Sequence, residues 1–222
     1  MKACEHGHTQ IVKLLLDRGA DYNKCDKYGR SPVMEASAHG HTEIVKMLLD
    51  SGADLDISDG SGESNLMNSC EHVHTKIVNL LLDKGADYNK CDDYGKSPVM
   101  KACKHGHKEI VKMLLDKRAD LDICDCSGEP PLMKACEHVH TEIVNLLLNR
   151  VADYNKCDKY GRLPVMEACE HDHTEIVKML IDSRADYNKC NRKDQSPLMM
   201  SCKHGHTDIA KMLLDRGADC NT

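Results

Sequence analysis

Phenylalanine and tryptophan are absent from all 222 residues, and tyrosine occurs only seven times. A core built around large aromatic side chains is therefore excluded, and apolar packing falls to Leu, Ile, Val, Met, Ala and Cys. No run approaches the roughly 18 apolar residues of a membrane-crossing helix, so no membrane insertion is expected. Long runs of Lys and Arg are also lacking, and the net charge is −6. A protein that grips nucleic-acid phosphates needs the opposite balance. The opening Met1-Lys2-Ala3-Cys4-Glu5-His6 contains no apolar stretch of a secretory leader. No nucleophile, base and orienting group stand together at one special place, the usual mark of a reaction centre.

What the chain does contain is repetition with a period of 33 residues. Residues 26–58, 59–91, 92–124, 125–157, 158–190 and 191–222 align without a gap, and residues 1–25 match the last part of the same unit. Such a period marks a stacked array in which each copy touches its neighbours. Residues 1–222 are accordingly expected to form a single domain. The array begins inside a truncated first unit and ends on one that resembles the internal ones. Because stacked repeats need covered ends, a longer protein or partners at the ends are expected.

One unit, residues 26–58, shows what each copy folds into. Ser31-Pro32 is a helix start: the hydroxyl caps free amides and the proline forfeits no hydrogen bond. A short helix follows through Ala38 and stops near Gly40, where a left-handed residue is wanted. His41-Thr42-Glu43 opens a second helix, whose Ile44, Val45, Leu48 and Leu49 recur at helical spacing and bury one stripe. Gly52 stops it, and the turn residues around Asp54, Asp59, Gly60 and Gly62 predict an extended finger.

These residues resemble the ankyrin repeats. The family's T-P-L-H-x-A appears as Ser31-Pro32-Val33-Met34-Glu35-Ala36, and its G-H, I-V, L-L and G-A-D as Gly40-His41, Ile44-Val45, Leu48-Leu49 and Gly52-Ala53-Asp54. The resemblance spans essentially the whole chain. It implies an all-α ankyrin-repeat solenoid of helix-turn-helix units with projecting β-hairpin-like loops. It also implies non-catalytic protein binding on the concave face, without a cofactor. One departure is systematic: the motif His is methionine in every copy (Met34, Met67, Met100, Met133, Met166, Met199), so Met packing is expected to replace a Thr–His hydrogen bond.

The glycine stops are uneven. Val73, Val139 and Asp172 replace the first stop in three units, and Arg118, Val151 and Arg184 replace the second in three. If these positions keep positive φ, β-branched valine suits them worst. Residues 125–157 carry two such valines and are expected to be the softest unit.

Thirteen cysteines are not a disulfide framework once placed on the repeat. Cys4, Cys70, Cys103, Cys136, Cys169 and Cys202 share one first-helix position, and Cys25, Cys91, Cys124, Cys157 and Cys190 share the last position of the unit. Equivalent positions in stacked helices lie roughly 8–10 Å apart, beyond the reach of about 7 Å between Cα atoms that a disulfide allows. Reduced thiols and a cytoplasmic or nuclear setting are expected.

All fourteen histidines fall in H-x-H pairs, six of them preceded by Cys two residues earlier. Read alone, C-x-H-x-H suggests zinc. The ankyrin resemblance implies that the second His serves a hydrogen bond between loops, and that the Cys replaces a core alanine and is buried. Zinc binding is therefore the alternative reading, beside a structural spacer within a larger protein. The first histidines form a row at the end of the first helix, among them His39, His72, His105, His138 and His171. Imidazoles titrate near pH 6.5, so binding at this row is expected to change between pH 7.5 and 5.5.

The fingertips carry the sharpest functional signal. Lys27, Tyr28 and Arg30 occupy one tip, with Ser61 and Glu63 on the next. Tyr94 and Lys96 follow, then Ser127 and Glu129, then Lys159, Tyr160 and Arg162. The chemistry thus repeats every 66 residues. Tyr and Arg are favoured anchors in protein interfaces, and an extended acidic segment of another protein suits the Tyr-plus-basic tips. Tyr22, Tyr88, Tyr154 and Tyr187 sit just before the fingers and are expected to pack. The Asn of each Asp-Tyr-Asn is expected to stabilise a turn, although it resembles the site that asparaginyl hydroxylases modify in ankyrin proteins.

Overall fold

The computed structural model describes residues 1–220. Among them lie fourteen helices, two per repeat. They are α1 (Lys2–Glu5) and α2 (Thr9–Asp17), α3 (Pro32–Ala38) and α4 (Thr42–Asp50), α5 (Asn65–Glu71) and α6 (Thr75–Asp83), and α7 (Pro98–Lys104) and α8 (Lys108–Asp116). There follow α9 (Pro131–Glu137) and α10 (Thr141–Leu148), α11 (Pro164–Glu170) and α12 (Thr174–Asp182), and α13 (Pro197–His204) and α14 (Thr207–Asp215). No strand is present among the described residues, and one isolated bridge joins Ser58 to Ser64. The fingers are chains of turns.

Local chemistry sets the starts. The Ser31, Ser64 and Ser196 hydroxyls accept from the amides of Met34, Met67 and Met199 at 3.2–3.3 Å. Proline follows the cap in α3, α9, α11 and α13, where its missing amide is no loss. Pro130 and Leu163 replace the cap in two repeats and leave those starts without a side-chain acceptor. Five motif methionines, Met34 to Met166, are buried as expected. Met199 departs from this. It is 39% exposed, and its sulfur accepts from the Ser196 amide, because no further repeat among the described residues covers that side of α13.

The described residues divide into two compact units. One comprises residues 1–102 and 109–119, the other residues 103–108 and 120–222. In the first, α1, α3 and α5 stack as one layer and α2, α4 and α6 as a second. In the other, α9, α11 and α13 form one layer and α10, α12 and α14 the second. Each layer buries the predicted stripe: Ile44, Val45 and Leu48 in α4, and Ile143, Val144 and Leu147 in α10, are essentially sealed from water. At the ends the same stripe is open, with Ile11, Leu15 and Leu214 exposed.

The helix stops keep their geometry even where glycine is missing. Val73, Val139 and Val151 have φ of 63°, 61° and 63°, and Arg118, Asp172 and Arg184 lie in the same left-handed region. The backbone is over-determined by its neighbours, which hold residues that prefer other conformations. Helix α10, in the unit carrying two such valines, ends one residue earlier than its counterparts.

One substitution also reaches a neighbouring repeat. At Gly106 a Cβ would come within 2.6 Å of the His140 ring, and with the space open His140 Nε2 donates to the Lys104 carbonyl at 3.1 Å. Val139 fills the equivalent space one repeat later. There the ring of His173 is turned, and its Nδ1 donates to the Cys136 carbonyl at 2.8 Å. Val139→Gly is therefore expected to relieve about 1 kcal/mol of backbone strain and to raise the melting temperature by a few degrees. Nitrogen NMR of His173 should show the ring proton moving from Nδ1 to Nε2. An unmoved proton would break the steric link between the two residues.

Candidate functional site

Each fingertip is built by the residue that opens the repeat. Asp26 Oδ1 accepts from the Tyr28 and Arg30 amides, and Asp158 Oδ1 accepts from the Tyr160 and Arg162 amides, all at 2.8–3.0 Å. Asp59, Asp92, Asp125 and Asn191 do the same in their own tips. Neighbouring tips are tied by backbone: the Gly60 amide donates to Tyr28 O, Asp93 to Ser61 O, Lys159 to Ser127 O and Arg192 to Tyr160 O, at 2.9–3.0 Å. The tyrosines are thereby presented outward from a fixed turn. Tyr28, Tyr94 and Tyr160 are 56–57% exposed, and each ring carries a lysine ammonium over its face. The distances are 4.8 Å for Lys27, 5.5 Å for Lys96 and 5.5 Å for Lys159.

Behind the tips, the first helices supply a floor whose charges answer the tips. Arg30 bridges Asp26 at 2.8 Å and the buried Glu35 of α3 at 2.7 Å. Lys101 of α7 reaches back to Glu63 and Glu71 of the preceding repeat, both at 2.9 Å. Lys134 of α9 stays within its own repeat, paired with Glu129 and Asp125. Arg162 joins the buried Glu167 at 2.8 Å and also Glu170, both in α11. The tip charges at Arg30, Glu63, Glu129 and Arg162 are thus each neutralised by a helix residue. Lys27 and Lys96 have no carboxylate within ion-pair distance among the described residues, and the nearest partner of the Lys159 ammonium is the Cys126 carbonyl at 3.4 Å. The cations left for an outside ligand at the tyrosine tips are therefore the lysines.

This architecture matches known proteins. The family model for ankyrin repeats (3 copies) matches residues 1–59, 66–158 and 151–222. The chain belongs to the ankyrin-repeat family. Its fold is an all-helical ankyrin-repeat solenoid, a generic protein-interaction fold. Among solved structures it is similar to the human ASB11 ankyrin repeat domain, at 25% identity and a TM-score of 0.86. That match covers 98% of this chain and 97% of the other. No curated protein matches the chain.

In this ankyrin array the C-x-H-x-H strings do not converge on one point. Cys4, Cys70, Cys103, Cys136 and Cys169 are buried in the core, where loss of water pushes the thiols up, to about 12 for Cys169. Cys202 departs from the expected burial. It is exposed, because α13 has no further repeat packed on that side among the described residues. All thirteen cysteines are free thiols. The two rings of each pair stand 5.8–6.2 Å apart, centroid to centroid, yet in the His39/His41 and His72/His74 pairs one nitrogen of each ring is engaged elsewhere. His39 and His72 Nδ1 donate to the Glu35 and Asn68 carbonyls of their own helices at 2.9 Å. His41, His74 and His206 Nε2 donate to Glu5, Ala38 and Glu170 carbonyls of the preceding repeat at 2.9–3.0 Å.

Among the described residues a different trio, Glu167, Glu170 and His171, brings potential metal-ligand atoms within 4.8 Å of one another. The Arg162 guanidinium already contacts both carboxylates of that trio. It supplies the positive charge that an ion would otherwise supply.

The row of first histidines lies where the sequence puts it, at the C-terminal ends of the first helices. His39, His138 and His171 approach Glu35, Glu137 and Glu167 at 3.8–4.0 Å. The Asp-Tyr-Asn motifs are reassigned in detail. Asp21 and Asp153 hold their own turns, accepting from the Asn23 and Asn155 amides. The Asn side chains instead bridge repeats: Asn23, Asn155 and Asn188 Oδ1 accept from the amides of Asp54, Asp186 and Asp219 at 2.8–3.1 Å. Tyr22, Tyr88, Tyr154 and Tyr187 are half-buried, and Tyr187 donates to the Arg216 carbonyl at 2.7 Å.

Sequence reasoning overlooked the floor residues Glu35, Lys101, Lys134 and Glu167. They share one repeat position, five residues beyond the tip charge, and their signs were visible. Which tip each would reach depends on helix-to-finger distance.

Proposed function

We propose that residues 1–222 form one non-catalytic protein-binding domain whose partner lies along the fingertips and first helices. The observation that carries this reading is the set of outward tyrosines, Tyr28, Tyr94 and Tyr160, each with a lysine ammonium over its face. Exposed aromatic groups held on fixed turns lose little freedom on binding, and tyrosine is enriched among interface hot spots. The partner-facing set is Lys27, Tyr28, Tyr94, Lys96, Lys159 and Tyr160. Arg30 and Arg162 set the floor's charge, and His39, His72, His105, His138 and His171 line it. An extended segment with acidic side chains suits the unpaired lysines. The free thiols suit a reducing compartment, the cytoplasm or nucleus.

The test compares affinity capture from reduced lysate by the parent chain and by a Tyr28→Ala, Tyr94→Ala, Tyr160→Ala variant. These side chains are solvent-facing, so the variant should melt with the parent. Loss of each anchor is expected to weaken a specific partner by about 2 kcal/mol, or roughly 30-fold. Equal capture by both proteins would remove the tips from the binding face.

A further inference from the structure

In the last repeat the tip and the floor both lose their charge. In residues 191–222 the tip position holds Gln195 and the floor position Met200, so neither brings a charge to neutralise the cations around them. Between this finger and the preceding one lies an open cleft of about 380 Å³. Tyr160 and Arg162 line it from one finger, Arg192 and Lys193 from the next, and Lys203 from α13. The nearly buried Met200 is the methionine of its lining. The carboxylate lining the cleft is Glu170, and it is already bridged to Arg162, with His204 at 3.8 Å. Among the described residues no carboxylate comes within ion-pair distance of Arg192, Lys193 or Lys203.

The backbone narrows the ligand class. The Arg192 amide donates to Tyr160 O, the Lys193 and Gln195 amides to Asn191 Oδ1, and the Asp194 amide to Asn191 O. All four consecutive amides of this tip are consumed internally, so the loop offers no backbone nest for a phosphate. What remains is side-chain ammonium and guanidinium groups along an open wall, with a tyrosine face and a methionine beside them. That suits several carboxylates spaced along an extended chain better than one compact multivalent anion.

We propose that this cleft anchors a glutamate- or aspartate-rich peptide segment, with Arg192, Lys193 and Lys203 as counter-ions and Tyr160 as the wall for its methylenes. The proposal rests on the protein-binding reading and assigns that surface a basic end in residues 158–203.

The probe is a fluorescein-labelled oligoglutamate peptide, titrated with the full chain and read by fluorescence anisotropy. Uncharged Gly-Ser and oligolysine peptides serve as controls. The parent is expected to bind the acidic peptide alone and to lose affinity as salt rises, since exposed charges are screened. Arg192→Glu with Lys193→Glu, and separately Lys203→Glu, should each weaken binding by about 10-fold or more. Lys178→Glu, a charge reversal at an exposed position of α12 outside the cleft, should leave it unchanged. Arg192, Lys193 and Lys203 all lie in the last repeat, residues 191–222, and circular dichroism confirms folding of each variant.

Acidic-peptide binding that survives the charge reversals would overturn the proposal, as would no binding by the parent. Displacement of the peptide by inorganic phosphate at constant ionic strength, with no effect from chloride, would reassign the cleft to phosphate and overturn it too. The broader protein-binding reading is judged separately, by capture with the triple tyrosine variant. That reading stands if capture depends on the tyrosines while oligoglutamate fails to bind.

Discussion

Lys134→Met is expected to lower the unfolding free energy by about 3 kcal/mol at neutral pH, toward the lower end of the cost of breaking a buried ion pair. Methionine keeps the length and apolar stem of the side chain, so the loss isolates the charge. The ammonium sits with Glu129, with Asp125 at 3.3 Å and with Glu137 at 3.8 Å. Burial opposes its charge and is the largest single influence, but the hydrogen bond to Glu129 and the surrounding carboxylates outweigh it and hold the pKa above the ordinary lysine value. A raised lysine pKa stabilises the fold below the ordinary value and is lost as pH climbs through the higher one. Between pH 4 and 8 the lysine therefore stays charged. Urea unfolding at pH 7.5 makes the comparison, with Lys134→Arg, which keeps the charge, as the variant that restores most of the loss. An equally large deficit in Lys134→Arg would mean that the positive charge is not what stabilises this corner.

Glu167 gives the second large effect, with the opposite sense. Burial pushes its carboxyl up to about 7, although Arg162 pulls it down; the nearby Glu137, Glu170 and Glu129 push it further up. His171 stands 3.8 Å away, on the same turn. The folded protein therefore holds this proton more tightly than the unfolded chain, whose carboxyl ionises near 4.5. Stability from this group is complete below the unfolded value and is lost as pH rises through about 7. The difference is on the order of 3 kcal/mol. Glu167→Gln keeps the shape of the neutral acid, so it should be more stable than the parent at pH 8 and equal to it only below the unfolded value of 4.5. Thermal midpoints across that range read the result directly. Parallel curves for parent and variant would show that Glu167 titrates as an ordinary surface carboxylate. Any partner that contacts Arg162 would sense the same proton, because the guanidinium is shared between Glu167 and Glu170.

Much of the fold was legible because the forces that set it are local and repeated. Ser-Pro starts, the Ile-Val and Leu-Leu stripes and the glycine stops each act within a few residues. Copying them at a constant interval leaves few ways to stack. The second histidines were legible for the same reason, since their partners lie at nearly constant separation, 36 residues for His41, His74, His140 and His206. His173 breaks that register, bonding to Cys136 across from the repeat in which Val139 replaces the glycine stop, a neighbour effect that no single repeat contains. The exposure of Met199 and Cys202 was misread because a position buried by the next copy was treated as buried by its own.

The candidate site was legible in its outer part and hidden in its inner part. The alternation of tyrosine-plus-basic and serine-plus-glutamate tips is written in the chain, as is the exposure expected of turn residues tied to a capping Asp. That Arg30 and Arg162 turn inward to Glu35 and Glu167, while lysines stay over the rings, was not.

The sequence by itself determined that this is a stacked ankyrin array, where its helices begin and end, and which tips carry tyrosine. Those properties follow from short-range backbone chemistry multiplied by a period. Only the tertiary structure decided which charges are spent inside the protein and which remain for a ligand. Lys101 crosses to the preceding repeat while Lys134 stays at home, because each goes where opposite charge lies within reach of a flexible side chain. Charge balance is a matter of distance through space, and the unbalanced cleft at Arg192, Lys193 and Lys203 emerges only when the fingers are set side by side.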